Sequence, residues 1–180
     1  MSRFSNRNID IKTYIKCAPI NKNLLSSIYQ VKKKETGQIF AAKTIENTSK
    51  ISDMIEYDIE SMINIRHQTI EKIFGYSKLD FSNKNNITII MEFAKNKSFY
   101  DYLTNFGEKN KINILSTTTQ QIILVGISCG MKHLHKNNII HGDLQASNVL
   151  LDENNYPKIT DFYMSKIYSK SQTKFVRKIK

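Results

Sequence analysis

Cysteine is scarce in this 180-residue chain, with only Cys17 and Cys129. Two thiols cannot build a disulfide framework, and they show no paired metal-binding spacing. No run of about 18 apolar residues occurs. The best stretch, Ile122 to Ile127, contains Gly126 and gives way to Ser128, so no membrane span is expected. The opening MSRFSNRNIDIK has no apolar core of a cleaved leader, and a cytoplasmic location is expected. Internal repeats and low-complexity linkers are absent too, which excludes solenoids and arrays. Acidic residues disappear from Met164 onward, where Lys166, Lys170, Lys174, Arg177, Lys178 and Lys180 supply six of the eleven net positive charges. Elsewhere the signs mix, as in Lys32-Lys33-Lys34-Glu35. The tail has no interleaved aromatic platforms, so the basic balance reads as a solvated face rather than a specific nucleic-acid surface.

What remains is a globular composition: 40% hydrophobic, 24% charged, mean hydropathy −0.42. Period-2 patterning predicts strands at Ile9–Ile15, Ser27–Val31 and Gln38–Ile45, the last two separated by a Glu35-Thr36-Gly37 turn. Residues 52–67 change period, with Ile55, Ile59, Met62, Ile63 and Arg66 at helical spacing. Strands return at Ile73–Leu79 and Ile87–Phe93. A short helix is expected at Phe99–Phe106 and a long one from about Thr118 to His135, whose Ile123, Ile127, Met131 and Leu134 form a core stripe. Two short strands, Val149–Leu151 and Pro157–Thr160, flank the turn at 152–156. Strands first and helices second imply an α+β architecture, a sheet-rich part followed by a helical one.

The chemistry concentrates in His141-Gly142-Asp143-Leu144-Gln145-Ala146-Ser147-Asn148-Val149-Leu150-Leu151, followed by Asp161-Phe162-Tyr163. A carboxylate can orient a hydroxyl nucleophile and accept its proton, and an Asn carbonyl with a second Asp gives the hard oxygen donors that Mg²⁺ prefers. This run resembles the catalytic loop and metal-binding segment of the protein kinase family. The resemblance covers about residues 9–168. It implies a bilobal kinase-like fold with a β-rich N-lobe at 9–93 and the start of a helical C-lobe at 94–168. A short N-terminal extension at 1–8 and a basic tail at 169–180 flank it.

From the same resemblance, Phe40-Ala41-Ala42-Lys43 looks like the strand that presents a lysine to the ATP phosphates. Asp58 is the residue expected to hold Lys43, with Glu60 as the alternative on another side of the same helix. Ile89-Ile90-Met91-Glu92-Phe93-Ala94 resembles the strand that leads into the adenine site. Met91 would stand at the gatekeeper position, and the backbone of Glu92 and Ala94 would meet the base. Ile28, Ala41 and Leu150 would sandwich the ring. Asp143 would be the catalytic carboxylate, Asn148 and Asp161 the Mg²⁺ ligands. Met62, His141 and Phe162 fall where the family stacks side chains, which makes His141 structural. His133 and His135, two apart on a helix, face different ways and suggest no zinc site.

Several positions depart from the family pattern. Asn21, Asn23 and Ser26 stand where the phosphate-covering loop has glycines, with Pro19 just before, so weaker phosphate contact is expected. Gly142 replaces an arginine, Gln145 a lysine and Tyr163 a glycine. Gln145 could still donate to a transferring phosphoryl group without bringing charge. Only 17 residues follow Tyr163, and no Ala-Pro-Glu signature occurs among them. An incomplete C-lobe would uncover part of the long helix, so a chain that is marginally stable alone, or needs a protein partner, is expected. The resemblance implies transfer of a phosphoryl group from ATP to Ser or Thr of a protein substrate in signalling. The alternative is a pseudokinase or truncated relic that acts through ATP or protein binding. Oligomeric state is not legible.

Overall fold

The computed structural model describes residues 8–23, 26–46, 59, 62–96, 98–104, 115–162 and 166–167. In chain order the elements are β1 (Tyr14–Lys22), β2 (Ser26–Lys33), β3 (Ile39–Ile45), β4 (Ile73–Ser77), β5 (Ile87–Met91), α1 (Phe99–Thr104), α2 (Thr117–Lys136), β6 (Ile139–Ile140), β7 (Val149–Leu151), β8 (Pro157–Ile159) and β9 (Lys166–Ile167). The α+β class expected from the sequence holds. Two compact units result, one of Met1–Arg66 with Glu71–Lys95, the other of His67–Ile70 with Asn96–Lys180.

The first unit is built on an antiparallel five-stranded sheet in the order β1-β2-β3-β5-β4. Alternation along β3 sends Phe40 and Ala42 into a core with Ile11, Tyr14, Val31 and Ile90. Phe40 meets Tyr14 and Phe74 edge-on, with ring centroids 5.7 and 5.0 Å apart. Such aromatic pairs add about 0.5–1.5 kcal/mol each beyond the area they bury. The opposite face of β3 carries Ala41, Lys43 and Ile45.

The first strand differs from its expected span. Asp10 accepts the Lys12 N–H on its carboxylate at 3.0 Å and the Thr13 N–H on its carbonyl at 3.0 Å, closing a 3-10 turn over Ile11–Thr13. The strand therefore starts at Tyr14, and it runs on through Pro19 to Lys22. The ladder slips on both sides of Pro19. A residue without an N–H is tolerated here because β1 is an edge strand.

Most of the helix expected at 52–67 lies outside the described residues, including Asp58 and Glu60. Its expected end is too long. The Ile63 N–H reaches Ile59 O, the Ile65 N–H reaches Met62 O, and residues 65–67 are not helical. Arg66 Nη1 donates to the Ile63 and Ile65 carbonyls at 2.5 and 2.8 Å, supplying the donors that a continuing helix would have supplied.

In the second unit, Ser116 caps α2 by accepting the Thr119 N–H on Oγ at 3.1 Å. Of the anticipated stripe, Ile123 and Leu134 are fully buried, while Ile127 and Met131 are half-buried. Leu124 and Val125 on another side of the helix are exposed. The segment His67–Ile70 joins this unit through Thr69, whose carbonyl accepts the Ile159 N–H at 2.8 Å. β7 and β8 form a hairpin, and β6 pairs with β9 in a two-residue ladder that the sequence did not suggest. Among the described residues no helix is long and apolar enough to cross a membrane.

Candidate active site

On the first unit, strand register alone assembles a row of candidate residues. Lys43 lies opposite Ile28 on β2 and Ile89 on β5, and Ala41 lies opposite Gln30 and Met91. Directly opposed residues of an antiparallel pair share a face, so Ile28, Ala41, Lys43 and Met91 occupy one side of the sheet. Lys43 is 5% exposed, an unusual burial for an amine. Glu92 follows β5, and its N–H donates to the Lys72 carbonyl at 2.9 Å, so that donor is already committed. Ala94 lies two residues beyond Glu92, half-buried in irregular chain.

The β1–β2 hairpin shows how the glycine-poor loop is built. Asn21 pairs with Ile28 and Lys22 with Ser27, and the Asn23 N–H donates to Ser26 O at 2.8 Å. Positive φ occurs at Asn83, Asn138, Asn155 and Asp161 among the described non-glycine residues, and not at Asn21, Asn23 or Ser26. The left-handed tolerance of asparagine is therefore not used at these positions.

On the second unit, the segment from β6 to the end of β8 brings Asp143, Asn148 and the residue before Asp161 together. Gly142 turns the chain after β6 with φ +80°, a conformation that suits glycine. A 3-10 turn over Ala146–Asn148 then leads into β7, with the Asn148 N–H on Gln145 O at 2.9 Å. The β7–β8 ladder is extended by one bond, from the Thr160 N–H to Asn148 O at 3.0 Å. Asp161 is the next residue and adopts φ +62°. A non-glycine residue held in this region is strained, and such strain concentrates at functional sites.

Asn148 is 8% exposed, and its side-chain nitrogen is directed at one residue. Nδ2 donates to Asp143 O at 2.8 Å and to Asp143 Oδ2 at 3.0 Å. With its nitrogen fixed on Asp143, the amide turns its carbonyl oxygen away from that carboxylate. Gln145 Nε2 donates to the same Oδ2 at 3.0 Å. This contact was not foreseen, because side-chain torsions in a 3-10 turn leave no trace in sequence spacing.

His141, 1% exposed, joins the two ends of the segment. Its Nδ1 accepts the Asp143 N–H at 3.3 Å, which leaves the ring proton on Nε2, and Nε2 donates to Thr160 O at 2.8 Å. With both ring nitrogens used on backbone, the imidazole fixes geometry. Phe162 and, on the other unit, Met62 are each buried. Leu150 is half-buried on β7 and bridges to Ser98. Among the described residues no group of three His, Cys, Asp or Glu side chains is placed to hold a metal. His133 instead stacks on His67, with ring centroids 4.9 Å apart.

Comparison with known proteins gives the family. The family described as "Protein kinase domain" matches residues 24–179. "Cysteine-rich receptor-like protein kinase 25" of Arabidopsis thaliana is 33% identical over 142 residues, covering 77% of this chain and 20% of its own length. "NUAK family SNF1-like kinase 1" of Mus musculus is 30% identical over 158 residues, covering 85% of this chain and 22% of its own. "Probable serine/threonine protein kinase IREH1" of Arabidopsis thaliana is 27% identical over 155 residues, 83% of this chain and 11% of its own. The chain thus spans between about a tenth and a fifth of the length of these relatives.

Proposed function

The chain belongs to the protein kinase domain family, and from that premise we propose that it transfers the γ-phosphoryl group of ATP to a serine or threonine hydroxyl of a protein. The observation that carries this reading is the Asp143–Asn148 pair, held by two hydrogen bonds beside the strained Asp161. Lys43 is the residue for the α- and β-phosphates, and its row-mates Ile28, Ala41 and Met91 offer an apolar wall for the adenine. Leu150 is the residue for the other side of the ring, and the backbone of Glu92 and Ala94 is assigned to the base.

The donor set fits Mg²⁺, a hard cation that takes carboxylate and amide oxygens. Asn148 and Asp161 would hold it, and the Asn148 amide is already turned nitrogen-first onto Asp143, the orientation that offers its oxygen elsewhere. When bound, Mg²⁺ supplies charge neutralisation for the phosphate oxygens. Asp143 orients the acceptor hydroxyl and takes its proton. Support for Ser/Thr as the acceptor comes from the stretch Lys97-Ser98-Phe99 and from the relative whose name carries that specificity.

A second reading, a module that signals by contact without transferring phosphate, is favoured by the β1–β2 hairpin, where Asn21, Asn23 and Ser26 stand in place of glycines. Labelled ATP and peptide libraries with Ser, Thr or Tyr as acceptor separate the two. The expected result is label on Ser and Thr peptides that falls by about 10²–10⁴ in Asp143→Asn, the usual contribution of a general base. Equal labelling by parent and variant, or none from a folded parent, overturns the catalytic reading.

A further inference from the structure

The first unit holds a concave site away from the row built on Lys43. A cavity of about 480 Å³ opens between the start of β1 and the turn after β2, and Lys12, Tyr14, Lys33 and Lys34 are among the residues that line it. Small-molecule sites measure about 300–1,000 Å³. Tyr14 and Lys33 are direct partners across β1 and β2, and Lys33 lies an odd number of residues along β2 from Ile28. Successive side chains of a strand alternate, so this pair occupies the face opposite to Ile28, Ala41, Lys43 and Met91. The walls are tied together by backbone. The Lys34 N–H donates to Thr13 O at 2.9 Å, and Thr13 Oγ1 donates to Asp10 O at 2.7 Å.

The polar groups of this lining are not all satisfied internally. Lys33 Nζ pairs with Glu35 at 3.6 Å, and the Asp10 carboxylate accepts the Lys12 N–H at 3.0 Å. The ammonium groups of Lys12 and Lys34 meet no acid among the described residues. Tyr14 is 9% exposed with its ring edge-on against Phe40, and its hydroxyl has no hydrogen-bond partner among the described residues. A buried phenol ordinarily finds a partner, and the cavity that Tyr14 lines is where one can stand. Burial pushes the pKa of Tyr14 above the ordinary phenol value, so the hydroxyl stays a neutral donor.

We propose that this cavity binds a small organic phosphate, whose terminal oxygens meet Lys12, Lys34 and the Tyr14 hydroxyl. A phosphate monoester carries about −1.5 to −2 charges near neutral pH on three acceptor oxygens, a match for two ammonium groups and one hydroxyl. A carboxylate brings less charge and one oxygen fewer. With Asp10 and Glu35 counted, the lining still keeps one net positive charge, which favours an anion. The volume exceeds what a bare phosphate fills, and Ile9 with the Tyr14 ring gives apolar surface for the organic part.

The test is a titration of the full chain with phenyl phosphate, inorganic phosphate and benzoate, without ATP, followed by nitrogen-15 NMR. In the parent, phenyl phosphate moves the backbone resonances of Lys12, Tyr14 and Lys34 saturably, and it binds about tenfold more tightly than either inorganic phosphate or benzoate. Lys12 and Lys34 are exposed, so the double variant Lys12→Gln with Lys34→Gln keeps the fold. It raises the Kd for phenyl phosphate by about tenfold or more, the loss of two charge-assisted contacts. Tyr14→Phe keeps the ring on Phe40 and raises the Kd about threefold to tenfold. The same resonances still move in Lys43→Met, which separates this site from the one assigned to ATP. No saturable movement at Lys34 in the folded parent overturns the proposal. So does a Kd unchanged in the double variant, or benzoate bound as tightly as phenyl phosphate.

Discussion

His67 takes the Thr69 N–H on Nδ1 at 3.2 Å, sits 2.9 Å from Thr69 Oγ1, and stacks against His133. Burial, and then the neighbouring His133, push its pKa below the ordinary imidazole value. The unfolded chain therefore takes up a proton near pH 6.5 that the native ring resists until lower pH. Stability from this site is intact above about pH 6.5 and declines as pH falls toward the depressed native value. Urea unfolding at pH 7.5 and 5.5 checks it: the midpoint falls on acidification, and the fall is smaller in His67→Gln. At this scale the spacing of Asp143, Asn148 and Asp161 was legible, because the loop and hairpin that carry them are local in sequence. The Gln145–Asp143 bond and the His67–His133 stack were not. One depends on torsions, and the other joins residues 66 apart in sequence.

At the scale of elements, α2 owes its approach to the β7–β8 hairpin to two glycines. A Cβ on Gly126 would run into the Pro157 ring and lie 3.3 Å from Thr69 Cγ2. One on Gly130 would lie 2.7 Å from both Ile159 Cδ1 and Thr69 Oγ1. Alanine gains about 1 kcal/mol of helix propensity over glycine, but overpacking costs about 1–3 kcal/mol. The proline ring has no flexible end to give way, so Gly126→Ala is expected to destabilise by about 1–2 kcal/mol net, read from chemical denaturation. The helix itself was legible to within a residue or so at each end. Ser116 caps its start, and Asn138, with φ +60°, turns the chain after its end. β6 and β9 were not, since two-residue strands have no local period and exist only through a pairing about 27 residues away in sequence. The first strand was misplaced because Asp10, a turn former, outweighed the alternation of the isoleucines around it.

Across the whole molecule, the polar groups assigned to phosphoryl transfer are divided between the units, with Lys43 on the first and Asp143, Asn148 and Asp161 on the second. Net charge, +11 over 180 residues, is no guide to this function, because six of those charges lie from Met164 onward. The α+β class and the family were readable from motif order, while the partner of Lys43 was not decided by sequence, since Asp58 and Glu60 were expected on different sides of one helix and both lie outside the described residues. The most direct test of the account is a thermal-unfolding series on the 180-residue chain with Mg²⁺ alone and with Mg²⁺ plus ATP. A ligand bound only to the native state raises the midpoint, by an amount equivalent to about 2.7 kcal/mol at a hundred times its Kd. The account predicts a rise with Mg²⁺ and ATP together in the parent, lost in both Lys43→Met and Asp161→Ala. A parent midpoint indifferent to ATP, or a rise that survives both substitutions, contradicts it.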